Sequence, residues 1–180
     1  SLSSTSPFTS SSSLSTNREG KTPISTASTW KKSFTFAGEH FDKTGLLYWL
    51  GTNEGRDNIW QNPAMTGKLR LEISHASLTT VEMKKHNVVA RHTLEPTFWG
   101  GSAPLWFMVD LGEYHRFSPN HYTLRHGHSS ANSYLCNWAF QASHDEEDWI
   151  TLHSQVEPAF SHGFDVKSFA VTPYPEYYRY

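Results

Sequence analysis

The stretch that decides the fold runs from residue 110 to residue 152, DLGEYHRFSPNHYTLRHGHSSANSYLCNWAFQASHDEEDWITL. An apolar run, LWFMV at 105–109, leads into its Asp-Leu-Gly start. Three strand-sized segments follow, at 122–124, 137–143 and 149–152, and polar residues that favour turns separate them. This order predicts consecutive antiparallel strands arranged as a meander.

Composition favours an all-β fold and narrows the possible partners. A chain of 180 residues suits one domain with a real core. Phe, Trp and Tyr make up 14% of the residues, and these side chains favour strands and bury large areas. The net charge of −2 offers no basic surface for nucleic acid. Apolar runs such as 105–109 are far too short to span a membrane. We therefore expect neither nucleic acid nor a membrane as a partner.

Cysteine usage bears on the compartment in which the protein works. The chain has one cysteine, Cys136, and no Asn-x-Ser/Thr glycosylation sequon. Secreted sandwich domains of this size often carry disulfides and glycans. The lack of both features predicts an intracellular, reducing compartment, either cytoplasmic or nuclear.

The chain divides into a tail and a folded domain. Ser and Thr fill more than half of residues 1–29, and almost nothing there could pack, so we expect a disordered tail or linker. Residues 30–180 form the predicted domain. Within it, 46–50 and 88–90 are expected to be strands, and 69–73 alternates apolar with charged residues as a half-buried strand does.

Five pieces of sequence, taken in order, resemble a known family of domains. They are GLLYWLGTN at 45–53, a Trp-x-Asn-Pro piece at 60–63, DLG at 110–112, YTLRH at 122–126, and a Leu-x-Asn-Trp-x₄-Ser-x-Asp-x₃-Trp pattern at 135–149. This order is similar to the discoidin-like (coagulation-factor type C) domains of intracellular BTB/POZ-domain proteins and HECT-type E3 ubiquitin ligases. The resemblance implies a galactose-binding-like antiparallel β-sandwich, jelly-roll-like in topology.

Two departures from the family pattern stand out. Cys136 occupies a position where relatives often carry Arg. Relatives also continue past an aromatic-Arg-aromatic strand into a further loop and a closing strand, whereas this sequence stops at YYRY, 177–180. The resemblance therefore implies a sandwich that lacks its last strands and exposes an unpaired strand edge.

Two polar loops form the candidate binding site, because loops carry binding while a sandwich holds them in place. The first is TNEGRDNIW at 52–60 with its extension into QN, and the second is RHGHSSANSY at 125–134. An Arg in either loop could fork onto a carboxylate or a sugar hydroxyl, and a Trp or Tyr could stack on an apolar face. The ligand-binding candidates are Asn53, Arg56, Asp57, Trp60, Asn62, Arg125, His126, His128 and Tyr134.

Structural roles are the alternative for several conspicuous residues. Arg125 and Asp110 could form a buried pair instead of a site, and Asp110 is expected to tie a strand end through backbone hydrogen bonds. Trp138 and Trp149 are expected to pack in the core or at its rim. The acidic run at 145–148 predicts a solvated hairpin tip rather than a Ca²⁺ site.

The sequence predicts no metal site, no cofactor and no catalytic centre. The eleven histidines include His121, His126 and His128, but zinc needs three or four converging ligands, and neither Cys partners nor a His-Glu-x-x-His helix supports them. No Gly-x-Ser-x-Gly elbow and no Gly-rich phosphate loop occurs. Cys136 is expected to be buried and therefore inert.

These observations predict a non-catalytic binding module that recognises a protein partner or a glycan-like ligand. By resemblance, it would serve a BTB-type adaptor or an E3 ubiquitin ligase, an inference that rests on fold analogy. One alternative is a carbohydrate-binding module with Trp60, Trp99 and Tyr134 as stacking platforms. A second is a structural subunit whose missing strands come from a neighbouring chain. The oligomeric state does not follow from the sequence.

Overall fold

The computed structural model describes residues 31–74, 85–91, 104–127, 135–172, 174 and 178–180. The chain divides into two units, residues 1–32 and residues 33–180, and every element below belongs to the second unit. The tail predicted at 1–29 lies outside the described residues, and so do the candidates His128, Tyr134 and Trp99.

Antiparallel strand pairs make up most of the regular structure. In the described part of the chain the strands are β1 (Arg70–Ile73), β2 (Phe107–Asp110), β3 (His121–Arg125), β4 (Trp138–Ser143), β5 (Trp149–Gln155) and β6 (Val166–Ala170). They pair as β1 with β2, β3 with β6, and β4 with β5, each antiparallel. The all-β prediction is confirmed at this level.

The partner of β3 corrects the predicted meander. β4 and β5 form the expected hairpin around the acidic turn, with Ser143 opposite Trp149. β3, however, pairs with β6, so that His121 lies opposite Ala170 and Arg125 lies opposite Val166. The meander was predicted from neighbouring positions in the sequence, whereas packing of aromatic side chains accounts for the arrangement that forms.

One aromatic face of the β3–β6 pair packs against one face of the β4–β5 hairpin. The rings of Tyr122 and Phe140 stack with centroids 4.3 Å apart, and Trp138 meets Phe169 edge-on at 5.3 Å. His153 on β5 lies 5.6 Å from Phe169 on β6. β5 and β6 belong to different strand pairs. Within one sheet only direct neighbours lie about 4.8 Å apart, so a contact between β5 and β6 requires the two pairs to face each other.

Residues 46–50 form a helix, not the predicted strand. Helix α1 spans Leu46–Gly51, and it places Leu46, Trp49 and Leu50 on one side against the core. Those positions are i, i+3 and i+4, the spacing of a helical face. A continuous apolar run of five residues fits either structure, so its period could not decide between them. No helix among the described residues is long and apolar enough to cross a membrane.

A second core lies between α1 and the β1–β2 pair. Leu69 and Leu71 are buried on either side of the exposed Arg70, which confirms the predicted alternation in this strand. They pack with Trp49, Leu50, Val89 and Leu111. The predicted strand at 88–90 is wrong, because Lys85–Val89 forms a 3₁₀ turn that contributes Val89 to this core.

Residues 178–180 connect the β1–β2 pair to the β4–β5 hairpin. Tyr178, which is only 2% exposed, forms an antiparallel bridge with Phe117. The carbonyl of Arg179 accepts a hydrogen bond from Leu111, and Tyr180 exchanges two backbone hydrogen bonds with Ser143. These backbone hydrogen bonds link the segment that follows β2 to the end of β4.

Candidate functional site

The first candidate loop begins where α1 ends. Asn53 and Glu54 both have left-handed backbone conformations, with φ of 51° and 64°, so the chain turns sharply there. The side-chain carbonyl of Asn53 accepts a hydrogen bond from Lys68 Nζ at 3.1 Å. Arg56 is exposed and pairs with Glu54 at 3.1 Å. Asn53, Asp57 and Lys68 line a cleft of about 190 Å³.

Two further candidates, Trp60 and Asn62, are held by contacts within the fold. The indole nitrogen of Trp60 is buried, and a Cβ added to Gly51 would lie only 2.1 Å from it. Asn62 Nδ2 donates to the carbonyl of His86 at 2.8 Å, and its Oδ1 accepts from the N–H of Ala64 at 3.0 Å. These contacts give both side chains a packing or tethering role in the fold.

The second candidate loop begins at the end of β3, where Arg125 and His126 differ in environment. His126 is buried, its N–H donates to the carbonyl of Asp165 at 2.8 Å, and its ring stacks near Phe160. Arg125 is half-buried, with its guanidinium carbon 4.1 Å from the centroid of the Phe41 ring. No described contact joins Arg125 to the first loop, so the structure separates the two groups of candidates.

Arg125 belongs to a group of side chains that we call the arginine–aromatic cluster, composed of Phe41, Tyr48, Arg91 and Arg125. The Arg91 guanidinium lies 4.9 Å from the centroid of the Tyr48 ring. Each arginine therefore has one face against an aromatic ring, an arrangement that holds the planar cation and is itself attractive. Of these four residues, Arg125 alone was predicted from the sequence as a binding candidate.

The loop before α1 places Phe41 under Arg125. Asp42 organises this loop, because its carboxylate accepts hydrogen bonds from the N–H groups of Ala37 and Thr44, each at 3.1 Å, and from the Thr44 hydroxyl at 2.6 Å. Burial raises the pKa of the Asp42 carboxyl, but these hydrogen bonds outweigh burial and bring the pKa below its ordinary value. The Asp-x-Thr spacing is typical of such a turn.

Two more contacts fix the same loop along the β3–β6 pair. The ring of Phe36 stacks on His121 with centroids 4.8 Å apart. His40 Nδ1 hydrogen-bonds with Ser168 Oγ at 3.0 Å, and Ser168 Oγ bonds in turn with Thr123 Oγ1 at 2.7 Å. The loop is thus attached at successive positions on both strands.

The positive charges of the cluster meet backbone oxygens and ring faces instead of carboxylates. Arg91 donates to the carbonyls of Phe41 and Asp42, the latter at 3.1 Å. In the part of the chain that the structure describes, no carboxylate lies within ion-pair distance of Arg91 or Arg125. Burial and the neighbouring Arg91 charge both lower the pKa of Arg125. Two close guanidinium groups of this kind can bind an oxyanion through charge-assisted hydrogen bonds.

The partner of Asp110 is not Arg125, which corrects that alternative. Asp110 is buried, and its carboxylate accepts hydrogen bonds from Arg179 and from Arg70. It also accepts the N–H of Gly112 at 2.8 Å, so the predicted tie at the strand end is confirmed. Asp110 therefore joins distant segments of the chain and stands apart from the arginine–aromatic cluster.

The acidic turn serves the hairpin and the Asp110 network. The Asp145 carboxylate accepts the N–H groups of Glu147 and Asp148, each at 3.0 Å, and Glu146 pairs with Arg70 at 2.9 Å. All four acidic residues are exposed, as predicted for a hairpin tip. Within the described ranges no three potential metal-binding side chains converge.

Cys136, Trp138 and Trp149 differ in how their side chains are buried. Cys136 is half-buried just before β4, so the expected full burial is wrong. Trp138 packs between layers and Trp149, which is 39% exposed, lies at the rim, as predicted. Trp149 donates from its indole nitrogen to the carbonyl of Glu146 at 3.0 Å.

Comparisons with known proteins give matches to segments of much longer chains. An E3 ubiquitin-protein ligase of Drosophila melanogaster, Ufd4, is 33% identical over 118 residues, which is 65% of this chain. The E3 ubiquitin-protein ligase hecd-1 of Caenorhabditis elegans is 29% identical over 63% of this chain. A BTB/POZ domain-containing protein of Arabidopsis thaliana is 30% identical over 62% of it.

The matched segment is a small part of each relative. It covers 4% of each of the two ligases and 14% of the BTB/POZ domain-containing protein. No protein-family model matches the chain, and no solved structure matches it. The relatives are ubiquitin ligases and a BTB/POZ protein, the two contexts that the sequence resemblance implied, while no match identifies a domain family.

Proposed function

We propose that this chain is a non-catalytic recognition module that holds a protein partner for a ubiquitin ligase or a BTB-type adaptor inside the cell. The matched segment recurs in proteins with two different kinds of name and covers only 4% of the ligases. A segment shared in this way is best explained by an activity that both kinds of protein use. Binding a partner is an activity that both kinds of protein can use, whereas ubiquitin-ligase activity is part of the name of the two ligases and not of the BTB/POZ protein.

The fold supports the same proposal. We propose that the chain is a galactose-binding-like β-sandwich, as the sequence resemblance implies, and the face-to-face packing of two strand pairs through the rings of Tyr122, Phe140 and Phe169 supports the sandwich arrangement. A sandwich holds its connecting loops rigidly while it leaves them accessible to a partner. In this chain, such loops carry Phe41 and Arg91, and Arg125 ends the adjoining strand.

The observation that carries the proposal is the arginine–aromatic cluster. Arg91 and Arg125 are oriented by aromatic rings, and neither has a carboxylate partner among the described residues. Arginine and aromatic residues are the types most enriched where protein partners bind tightly. A cluster that the fold builds, and that has no carboxylate partner in the described part of the chain, is therefore a suitable anchor for a partner.

Affinity capture with matched variants tests the proposal. The full chain, the double variant Arg91→Ala/Arg125→Ala and the control Arg116→Ala would each be immobilised and exposed to cell extract. Arg116 is exposed, and within the described ranges its hydrogen bonds go to nearby carbonyls of its own turn. We expect a defined set of proteins that the wild type and Arg116→Ala retain and the double variant loses. Each retained protein would then be purified and its affinity measured by calorimetry.

Two results would contradict the proposal. The first is that no purified protein binds saturably to the wild-type chain. The second is that a glycan array gives saturable sugar binding that Trp60→Ala abolishes and the double arginine variant leaves intact, which would favour the carbohydrate-binding alternative.

A further inference from the structure

We infer that the arginine–aromatic cluster binds an oxyanion carried by a peptide, either a phosphate on a modified side chain or a carboxylate. This inference rests on the proposed function and specifies the chemistry of the partner. Arg91 and Arg125 provide the charge, and Phe41 and Tyr48 provide the surfaces on which the two guanidinium groups lie.

The stacking geometry leaves donors available to a ligand. A guanidinium has five N–H donors in one plane, and the described hydrogen bonds of Arg91 engage two of its nitrogens, with the carbonyls of Phe41 and Asp42. Arg125 makes a ring contact with Phe41 and no hydrogen bond from its guanidinium within the described residues. Its planar edge can therefore form the paired N–H···O contacts that phosphate and carboxylate groups accept.

The backbone conformation of Phe41 allows one residue to contact both arginines. Its φ of 58° is left-handed, which is uncommon for a bulky residue that is not glycine. This conformation accompanies two contacts at once, since the Phe41 carbonyl accepts a hydrogen bond from Arg91 while its ring lies under Arg125.

The charges of the two arginines also favour an oxyanion ligand. The like charges of Arg91 and Arg125 are close enough for Arg91 to disfavour the charged form of Arg125. The neighbouring Asp42 carboxylate accepts its hydrogen bonds from Ala37 and Thr44 and does not offset either arginine by an ion pair. An oxyanion bound between the two cations would relieve their repulsion. Clusters of arginine recognise phosphorylated and acidic peptide motifs in this way.

Three peptide pools distinguish the possible ligands. Each pool is degenerate except for one central residue, which is phosphoserine, glutamate or serine, and each carries a fluorophore for polarisation measurements with the full chain. We expect the phosphoserine or the glutamate pool to bind about tenfold or more tightly than the serine pool, because charge-assisted hydrogen bonds are roughly twice as strong as neutral ones. The two anionic pools show whether phosphate or carboxylate is preferred.

Variants connect that binding to the cluster. Arg125→Gln and Arg91→Gln should each weaken the preferred pool by about tenfold, and Phe41→Leu, which keeps an apolar side chain but removes the π face, should weaken it less. Arg116→Ala should bind as the wild type does. Circular dichroism melting of every variant confirms that it is folded, and if an arginine variant unfolds, Phe41→Leu and the salt dependence of wild-type binding provide the test.

The inference is overturned if the three pools bind equally, or if folded Arg125→Gln and Arg91→Gln retain wild-type affinity for the anionic pools. Failure of the proposed function looks different. In that case the anionic pool still binds through the two arginines, while capture from extract yields no protein that binds saturably. Preference for single-stranded nucleic acid over both anionic pools would also overturn the inference.

Discussion

Arg179 holds both carboxylate oxygens of Asp110, with Nε 2.7 Å from Oδ1 and the terminal nitrogen Nη2 3.0 Å from Oδ2. The two residues are 69 positions apart in the sequence. Arg70 on β1 contacts the same carboxylate at 3.3 Å and also pairs with Glu146 at the tip of the β4–β5 hairpin. One buried carboxylate thus connects β1, β2 and residues 178–180, and Arg70 extends this network to the hairpin.

Replacement of Asp110 should therefore destabilise the fold as a whole. Asp110→Ala removes the acceptor that Arg179 and Arg70 share and leaves both partly exposed arginines without it, so we expect a clear loss of unfolding free energy. The matched control is Asp148→Asn, because Asp148 is an exposed carboxylate in the hairpin turn. Urea unfolding followed by fluorescence measures both changes. Equal stability of the two variants would contradict a connecting role for Asp110.

The same carboxylate predicts how stability depends on acid. Burial by itself would raise the pKa of Asp110. The hydrogen bonds from Arg179, the Gly112 N–H and Arg70 together outweigh burial and bring this pKa below its ordinary value of 3.8. A carboxyl with a lowered native pKa takes up its proton more readily in the unfolded chain. Its contribution is thus complete above about pH 5 and is lost progressively as the pH falls through the ordinary pKa and then the native pKa.

Unfolding free energies measured between pH 6 and about pH 2.5 check this dependence. Asp110→Asn should lose less stability than the wild type over the acid part of that range, because it lacks the linked proton. Asp42, Asp145 and Asp165, whose carboxyl pKa values are also lowered, remain in both proteins and give the variant a residual slope. Parallel curves for the two proteins would show that Asp110 is not linked to acid unfolding.

Tyr122 should contribute to stability through its hydroxyl as well as its ring. Its Oη accepts a hydrogen bond from Trp138 Nε1 at 2.8 Å and bonds with His153 Nδ1 at 2.5 Å. Tyr122→Phe keeps the stacked ring but leaves both nitrogens without this partner, a cost of about 1–2 kcal/mol. Tyr114, which is 89% exposed, provides the control Tyr114→Phe, and its change should stay within about 0.5 kcal/mol.

The contact between Gly51 and Trp60 predicts a strong difference between two glycines. A Cβ at Gly51 would lie 2.6 Å from the Gln61 carbonyl oxygen as well as against the Trp60 ring, so the backbone must move. We expect Gly51→Ala to cost about 2 kcal/mol, as overpacking does. At Gly45 the nearest atom would be 3.9 Å away, so Gly45→Ala should change the melting temperature little. Comparable melting of the two variants would refute this packing.

A double-mutant cycle measures the contact between Phe41 and Arg125. The variants Phe41→Leu and Arg125→Gln, alone and together, should give a coupling energy of about 0.5–1 kcal/mol in urea unfolding, the size of a cation–π pair near a surface. A coupling near zero would mean that the ring does not hold the guanidinium. The cycle also shows whether the single variants stay folded enough for binding measurements.

Local patterns predicted much of the secondary structure correctly. Leu69, Leu71 and Ile73 alternate with charged residues, and β1 lies there. The acidic turn at 145–148 predicted the hairpin of β4 and β5 for the same reason, since turn chemistry and strand periodicity are properties of neighbouring residues. The tie between Asp110 and the N–H of Gly112 is equally local.

Long-range packing decided what these patterns left open. The apolar run at 46–50 forms a helix because a helix lets the consecutive residues Trp49 and Leu50 both face the second core. β3 pairs with β6 and not with β4, the next strand in the sequence, because the rings of Tyr122 and Phe169 pack together against the β4–β5 hairpin. Neither outcome is encoded in a short window of sequence.

The sequence by itself determined the β-rich class and the acidic hairpin, and it singled out Arg125 as a binding candidate, although Arg125 ends strand β3 and does not lie in the predicted loop. Only the tertiary structure brought both arginines to Phe41, whose carbonyl accepts a hydrogen bond from Arg91 and whose ring lies under Arg125. The physical reason is that electrostatic and stacking interactions act over a few ångströms in space, whatever the separation along the chain. The arginine–aromatic cluster therefore exists only once the loop before α1 has docked on β3 and β6.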